Sequence, residues 1–251
     1  MTDTMNLDDY LAQGGVLTSP GNVPARYRGE LMRLMSSFVD SELAASAGFA
    51  DSINFAPGIK ARISASRITL EKADHAARVL AVMVDFGTDA ARYERQQDWA
   101  ARVARDADLG TARTGGDMRL SVFHYPITGW VDAVVMNVLM GLATGVQMTE
   151  LTRVSYAPLA DVFREIAPRE AHHAELGIKG LDRLVATAEG HSAAIAAIAY
   201  WRPRVEASFG VAGSQRHDTL ARFGLRHATN ADLLSRWQKL AEETLGPLGL
   251  N

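Results

Sequence analysis

Six ionisable side chains interrupt otherwise apolar helical stripes, and these are the residues best placed to do chemistry. In chain order they are Glu42, Lys72, His75, Asp132, Glu170 and His173. A charge on an apolar stripe is costly unless it is paired or bound to a metal. Carboxylates and imidazoles that point inward from four helices are also the groups with which a helix bundle holds two iron or manganese ions. The pattern therefore predicts a metal site in the core of a helix bundle.

Two of these stripes lie in the first half of the chain. The first consists of Leu31, Met35, Phe38, Glu42, Ala45 and Phe49. The second consists of Ile68, Lys72, His75, Val79, Val82 and Phe86. We expect Lys72 and His75 to point inward together. The neighbouring charged strip, which contains Glu71, is expected to face water.

The second half of the chain repeats the arrangement. Asp132 is the only charge in the apolar stretch between Trp130 and Gln147, and we expect its carboxylate to be buried. Glu170 and His173 lie three residues apart on a later stripe, so their side chains converge on one point. A single Glu-x-x-His pair would be weak evidence for a metal, but five converging ligands are a more specific signal.

The elements that must position these residues are helices, because apolar residues recur at intervals of three and four and alternating strand patterns are absent. The expected helices cover about 25–49, 57–86, 89–108, 127–148, 157–186, 192–208, 218–223 and 230–245. Asn230 is the expected N-cap of the last one. We expect an all-α bundle, with residues 1–24 as an N-terminal extension and residues 25–251 as a single helical domain.

Composition removes several classes of function. The chain has no cysteine, so a transition metal must be held by nitrogen and oxygen ligands. Its 26 basic and 29 acidic residues give a net charge of −3, which predicts no nucleic-acid partner. The acidic start, Met1 to Tyr10, is not a secretory signal, and we expect a cytoplasmic protein. The apolar stretch 127–148 is interpreted as a buried core helix, so no membrane partner is expected.

Several short motifs resemble a known family. They are Ser41-Glu42, Tyr125-Pro126, Trp130-x-Asp132, Ser155-Tyr156-x-Pro158 and Arg169-Glu170-x-x-His173. They are similar to the phenylacetic acid catabolic, ferritin-like di-iron family, which includes the catalytic subunit of the multicomponent phenylacetyl-CoA epoxidase. The likeness runs from about Tyr27 to the carboxyl terminus.

The resemblance implies a ferritin-like helix bundle, and iron as the cofactor, as one or two ions. It also implies a metal-dependent oxygenase that activates O₂ to act on an aromatic or acyl-CoA-like substrate. Electrons would come from a separate reductase. A structurally related, non-catalytic subunit would bind the chain, so a homo- or hetero-oligomer is expected.

Carried over position by position, the resemblance makes Glu42, His75, Asp132, Glu170 and His173 the metal ligands. The chain departs from the family at Lys72, where the family has a bridging Glu. One expected anion has become a cation, so Lys72 is the candidate residue on which catalysis depends. Only four of the 26 basic residues are Lys, which makes an inward Lys beside a ligand-type His notable.

Three outcomes for Lys72 stay open on the sequence alone. It can pair with a carboxylate and replace one metal, leaving a mononuclear or empty site. It can lose its proton and act as a nitrogen ligand or amine reagent. It can also swing away and let Glu71 approach, which the amphipathic pattern disfavours. The functional alternatives are a bundle held by a buried salt-bridge network without catalysis, and a metal-free subunit that scaffolds an oxygenase partner.

Overall fold

The computed structural model describes residues 6–111, 116–213 and 216–250. In these ranges the chain is helical and forms no strand; Leu17 and Tyr156 make one isolated bridge. The helices are α1 (Leu7–Ala12), α2 (Ala25–Ser52), α3 (Ile59–Asp85), α4 (Ala90–Tyr93), α5 (Trp130–Leu151), α6 (Ala157–Leu184), α7 (Ala188–Ala207), α8 (Arg216–Arg222) and α9 (Asn230–Leu245). The expected all-α, ferritin-like helix bundle is confirmed.

Four long helices form the bundle. α2 packs on α3, α5 packs on α6, and α3 closes the bundle by packing on α6. α7 and α9 cover the outer side of α5. The inward faces of α2, α3, α5 and α6 are therefore the surfaces that can bring the six interrupting residues together.

α5 is the most apolar of these helices and lies in the core. By length and composition alone it could cross a membrane, but 72% of its most apolar 18-residue stretch is buried inside the bundle. Val135, Val138 and Leu139 are almost completely inaccessible. The interpretation of this stretch as a buried core helix is confirmed.

The segment that precedes the bundle is tied to it. The Leu17 amide donates to the Ser155 carbonyl at 2.8 Å, and the Ala157 amide donates to the Leu17 carbonyl at 2.8 Å. The Leu17 side chain is buried in the core beside α6. Residues 1–5 of the expected extension lie outside the described residues.

Two sequence-based expectations are wrong. The helix expected over 89–108 is limited to the single turn α4, because apolar residues such as Val103 and Ala107 pack on the core from an irregular chain. The α9 cap is Thr229 rather than Asn230. The Thr229 hydroxyl accepts from the Asp232 amide, and the Asp232 carboxylate accepts from the Thr229 amide, which forms a capping box.

The close approach of α5 to α6 yields a first prediction. A Cβ on Gly141 would lie 2.9 Å from the Ala174 Cβ, whereas a Cβ on Gly145, one turn later on α5, would meet nothing within 4 Å. Gly145→Ala should raise the free energy of unfolding by about 0.5–1 kcal/mol through helix propensity. Gly141→Ala should lower it by ~1 kcal/mol, because overpacking outweighs that gain. Denaturant unfolding measures both, and equal stabilisation by the two substitutions would contradict the packing.

Candidate metal centre

The ammonium group of Lys72 lies between two buried carboxylates. Its Nζ is 3.1 Å from Glu42 Oε1 and 3.0 Å from Glu170 Oε1, and it also donates to the second oxygen of each carboxylate. The three side chains are between 2% and 7% exposed. Helices α2, α3 and α6 each contribute one of these groups, so the contact joins three of the four bundle helices.

The environment keeps this lysine charged. Burial by itself would lower the pKa of Lys72, but the attraction of the Glu170 and Glu42 carboxylates outweighs it and raises the pKa above the ordinary lysine value. For Glu170, burial opposes ionisation, but the charge of Lys72, the nearby His173 ring and the hydrogen bond from His75 hold its pKa well below the usual range. Lys72 and Glu170 are therefore an ion pair inside the bundle.

His75 completes the group around Lys72. Its Nδ1 lies 2.8 Å from Glu170 Oε1 and 3.3 Å from Glu42 Oε2, and the ring is fully buried. Burial would lower the pKa of His75, but its hydrogen bonds to the two carboxylates outweigh that effect and raise the pKa. His75 is therefore a third group, with Lys72, that holds the two carboxylates together.

His173 lies beside His75 but has a different partner. The rings stack with centroids 5.8 Å apart. His173 Nε2 is 2.6 Å from Glu71 Oε2, while Nδ1 is buried, makes no hydrogen bond and lies 3.6 Å from Glu170 Oε2. The expectation that Glu71 faces open water is wrong, because this side chain is only 25% exposed and its carboxylate reaches over the edge of α6 to His173.

The donor set partly fits a metal ion. Ligand atoms of Glu42, His75 and Glu170 all lie within 4.8 Å of one another, and carboxylate and imidazole are groups that bind iron. The unpartnered Nδ1 of His173, with Glu71 on the other ring nitrogen, is the arrangement usual for a metal-ligating histidine. However, Lys72 Nζ contacts the same carboxylate oxygens that a metal would need. These residues can hold a divalent ion only if Lys72 loses its proton or moves out of the core.

Asp132 does not lie in this cluster, contrary to expectation. The Arg105 guanidinium donates to both of its carboxylate oxygens, at 2.7 and 2.8 Å. Trp201 Nε1 donates to Asp132 Oδ1 at 2.7 Å, and the Thr128 amide donates to Oδ2 at 3.0 Å. Burial would raise the pKa of Asp132, but these hydrogen bonds lower it. Both oxygens are occupied, and Asp132 is neutralised by an arginine instead of facing Glu170.

Sequence reasoning disfavoured one residue that determines this geometry and missed another. Glu71 is one turn before His75, and that spacing left its approach open, but the amphipathic pattern argued against it. Arg105 offered no such signal. The periodicity predicted a helix over 89–108, but Arg105 lies in irregular chain after α4, so that pattern did not indicate where its side chain points.

The contacts of Asp132 yield a second prediction. Asp132→Asn should lower the free energy of unfolding by about 1–3 kcal/mol at neutral pH, because it removes a charged, buried hydrogen-bond acceptor. The folded-state pKa lies below the unfolded value, so the ionised group stabilises the fold above the ordinary aspartate pKa of about 4. That stabilisation is lost as pH falls through the folded-state pKa, so the Tm difference should shrink below about pH 4.

The matched control is Asp161→Asn, which removes an exposed partner of Arg164 on α6. This change should stay within about 0.5 kcal/mol of wild type. Thermal melts across pH compare the two variants. A Tm for Asp132→Asn equal to that of the control at pH 7 would show that the carboxylate does not stabilise the fold.

Comparison with known proteins agrees with this helical architecture. The profile of the family described as "Phenylacetic acid catabolic protein" matches residues 13–251. The chain is also 24% identical over 194 residues to one of the subunits of the 1,2-phenylacetyl-CoA epoxidase of Escherichia coli (strain K12). That match covers 77% of this chain but 57% of the relative, so the chain spans little more than half the length of the protein it matches.

The resemblance seen in the sequence motifs is confirmed by these matches. The family match extends through all four bundle helices and includes the six residues that interrupt their stripes. The chain therefore belongs to the phenylacetic acid catabolic protein family.

Proposed function

We propose that this chain is a metal-free, non-catalytic subunit that supports a multicomponent oxygenase acting on an aromatic acyl-CoA thioester. The observation that carries the proposal is the ammonium of Lys72, held between Glu42 and Glu170 where the family has a bridging carboxylate. The oxygenase context rests on family membership and on the name of the Escherichia coli relative, which is part of an epoxidase.

Electrostatics supports the exclusion of a metal by Lys72. An ammonium and a dication 4 Å apart repel each other by about 8 kcal/mol at an effective dielectric constant of ~20. The carboxylates that would offset this repulsion are already paired with the ammonium. Binding of a dication would therefore require Lys72 to lose its proton or to move out of the core, and its raised pKa opposes the first of these.

The carboxylates expected as metal ligands have protein partners without any ion. Lys72 and His75 contact both Glu42 and Glu170, and the third carboxylate expected as a ligand, Asp132, is paired with Arg105. A buried ion pair is stable when each charge has its partner, and Lys72, the two glutamates and Asp132 each have one here. These contacts support a structural network in place of a redox centre.

A second candidate function is an oxygenase with one iron ion, which the unpartnered Nδ1 of His173 favours. Glu42, His75, Glu170 and His173 would hold the ion after Lys72 has swung out or lost its proton. Iron bound there would supply O₂ activation, with electrons from a separate reductase. Glu71 would keep the proton on Nε2 of His173 and so keep Nδ1 available as a ligand. Asp132 would join only if Arg105 released it.

A cavity beside the charged cluster supports an acyl or aryl ligand for either candidate. It has a volume of about 480 Å³, in the range of small-molecule sites. Ala65, Ile68, Val134 and Leu176 supply much of its apolar wall, and Ile68 lies one turn before Lys72 on α3. The Arg183 guanidinium also lines the cavity and has no ion-pair partner within the described ranges. An apolar body that carries an anionic group would match this lining.

Metal content gives the third prediction. Wild-type protein expressed with excess iron should contain far less than one iron per chain by elemental analysis. Lys72→Glu restores the anion of the family pattern, so iron content should rise to one or more ions per chain. Added ferrous iron should then raise the Tm of Lys72→Glu but leave that of wild type unchanged.

The control for this experiment is Lys179→Glu, the same change of charge at an exposed site on α6, which should bind no more iron than wild type. One iron ion per chain in wild type would contradict the metal-free proposal and favour the one-iron oxygenase. If Lys72→Glu folds but binds no iron, Lys72 is not the group that excludes it.

The cavity gives the fourth prediction, with Trp130 in its wall as the reporter. Phenylacetyl-CoA should change the tryptophan fluorescence of wild type in a saturable way, and Trp130→Phe should remove the change. Gly180→Leu should weaken binding at least about tenfold, because the new side chain fills the cavity from α6 next to Val134. The control Gly29→Leu adds the same side chain at an exposed glycine with open space around it. Equal binding by both leucine variants would place the ligand elsewhere.

A further inference from the structure

The outer face of α3 carries an apolar stripe that nothing in the described structure covers. The stripe consists of Ile59, Ile63, Ser66, Leu70, Ala73, Ala77, Ala81 and Val84, and we call it the outer α3 stripe. Its spacing of three and four residues keeps one line along the whole helix, and none of its members is charged. Ile59 is 79% exposed, Leu70 70%, Ile63 55% and Val84 45%. Continuous exposed apolar surface of this kind marks an interaction site.

Two charged residues at the ends of α3, Lys60 and Asp85, are placed against the helix dipole. Lys60 lies in the first turn, where the dipole is positive, and Asp85 is the last helical residue, where the dipole is negative. Both side chains are exposed, and neither has an ion-pair partner among the residues that the structure describes. A neighbouring helix running in the opposite direction would bring a cation to Asp85 and an anion to Lys60.

The stripe is complementary to itself in that antiparallel orientation. Its amino-terminal half carries the large side chains Ile59, Ile63 and Leu70, and its carboxyl-terminal half carries mostly alanine. A two-fold axis midway between positions 71 and 72 would set Leu70 against the partner subunit's Ala73. The same axis would set Ile59 against the partner subunit's Val84.

We propose that the outer α3 stripe binds the same stripe of a second copy of this chain, as an antiparallel, two-fold symmetric dimer. Lys60 of each copy then pairs with the partner's Asp85, and large side chains meet small ones along the contact. In an isologous interface each such pair occurs twice, which doubles the effect of every complementary contact.

The size of the stripe sets the expected strength of the dimer. α3 has 27 residues and is therefore about 40 Å long. With a helix width of about 12 Å, the contact buries roughly 500 Å² from each copy, which is at the low end for specific interfaces. We therefore expect a dissociation constant in the micromolar range, of the order of 10 µM.

Sedimentation of the full chain across that concentration range tests the dimer. Wild type should pass from monomer to dimer as concentration rises. Leu70→Glu should raise the dissociation constant at least about 100-fold, because it puts two like charges beside the two-fold axis. Leu70 is exposed in the monomer, so circular dichroism should show an unchanged fold. The control is Ile195→Glu, at a similarly apolar site on α7 that is 47% exposed.

Charge exchange tests the antiparallel direction. Lys60→Glu and Asp85→Lys should each weaken the dimer, and the double variant should restore it to within about threefold of wild type. Because the chain has no cysteine, disulfide crosslinking through introduced cysteines reports only on the chosen positions. Ser66→Cys mixed with Ala77→Cys should form disulfide-linked dimers, whereas Ser66→Cys alone should not.

Three outcomes would overturn the proposal. The first is a wild type that stays monomeric at about 200 µM, well above the expected dissociation constant. The second is a dimer that Leu70→Glu does not weaken. The third is efficient crosslinking of Ser66→Cys with itself. A wild type that dimerises only with a structurally related subunit of a different sequence would also overturn it, because the stripe would then serve a heterologous partner.

Discussion

The contact of Lys72 with Glu42 and Glu170 is the interaction on which the core of this bundle depends. Two carboxylates that face each other in a low-dielectric interior repel, and neither helix pair could bury them without a cation between them. Lys72 supplies that cation from α3 and reaches α2 and α6 at once. Removal of one partner from such a buried network typically costs about 3–5 kcal/mol, because an uncompensated charge remains. The ammonium therefore has a structural role whatever else it does.

The need of each buried carboxylate for a cationic partner explains why the expected metal ligands form two separate groups. On the α2, α3 and α6 side, Lys72 neutralises the carboxylates and His75 fills the remaining space. On the α5 side, Arg105 neutralises Asp132, and Trp201 of α7 adds a hydrogen bond. Each side pairs its carboxylates with a cation of its own. A chain that binds two dications in this core would need those carboxylates free, so the two networks together weigh against a full di-iron site.

The sequence predicted most of the bundle because its long helices obey a simple periodicity. The stripes around Glu42, His75 and Glu170 placed these residues inward correctly, since a charge that interrupts an apolar stripe must follow the stripe into the core. Periodicity could not identify the partner of Asp132, because Arg105 lies in irregular chain whose path depends on tertiary packing. It also misplaced Glu71, because a long side chain at the border of a polar strip can bend back toward a buried histidine.

The proposed function rests on a single position, Lys72, where a cation replaces the anion of the family pattern. X-ray diffraction at the iron absorption edge, from crystals of iron-replete protein, tests that claim most directly. We expect no anomalous peak between His75 and His173, and electron density for Nζ of Lys72 between Glu42 and Glu170. An iron peak bonded to Glu42, His75 and Glu170, with Lys72 turned out of the core, would contradict it.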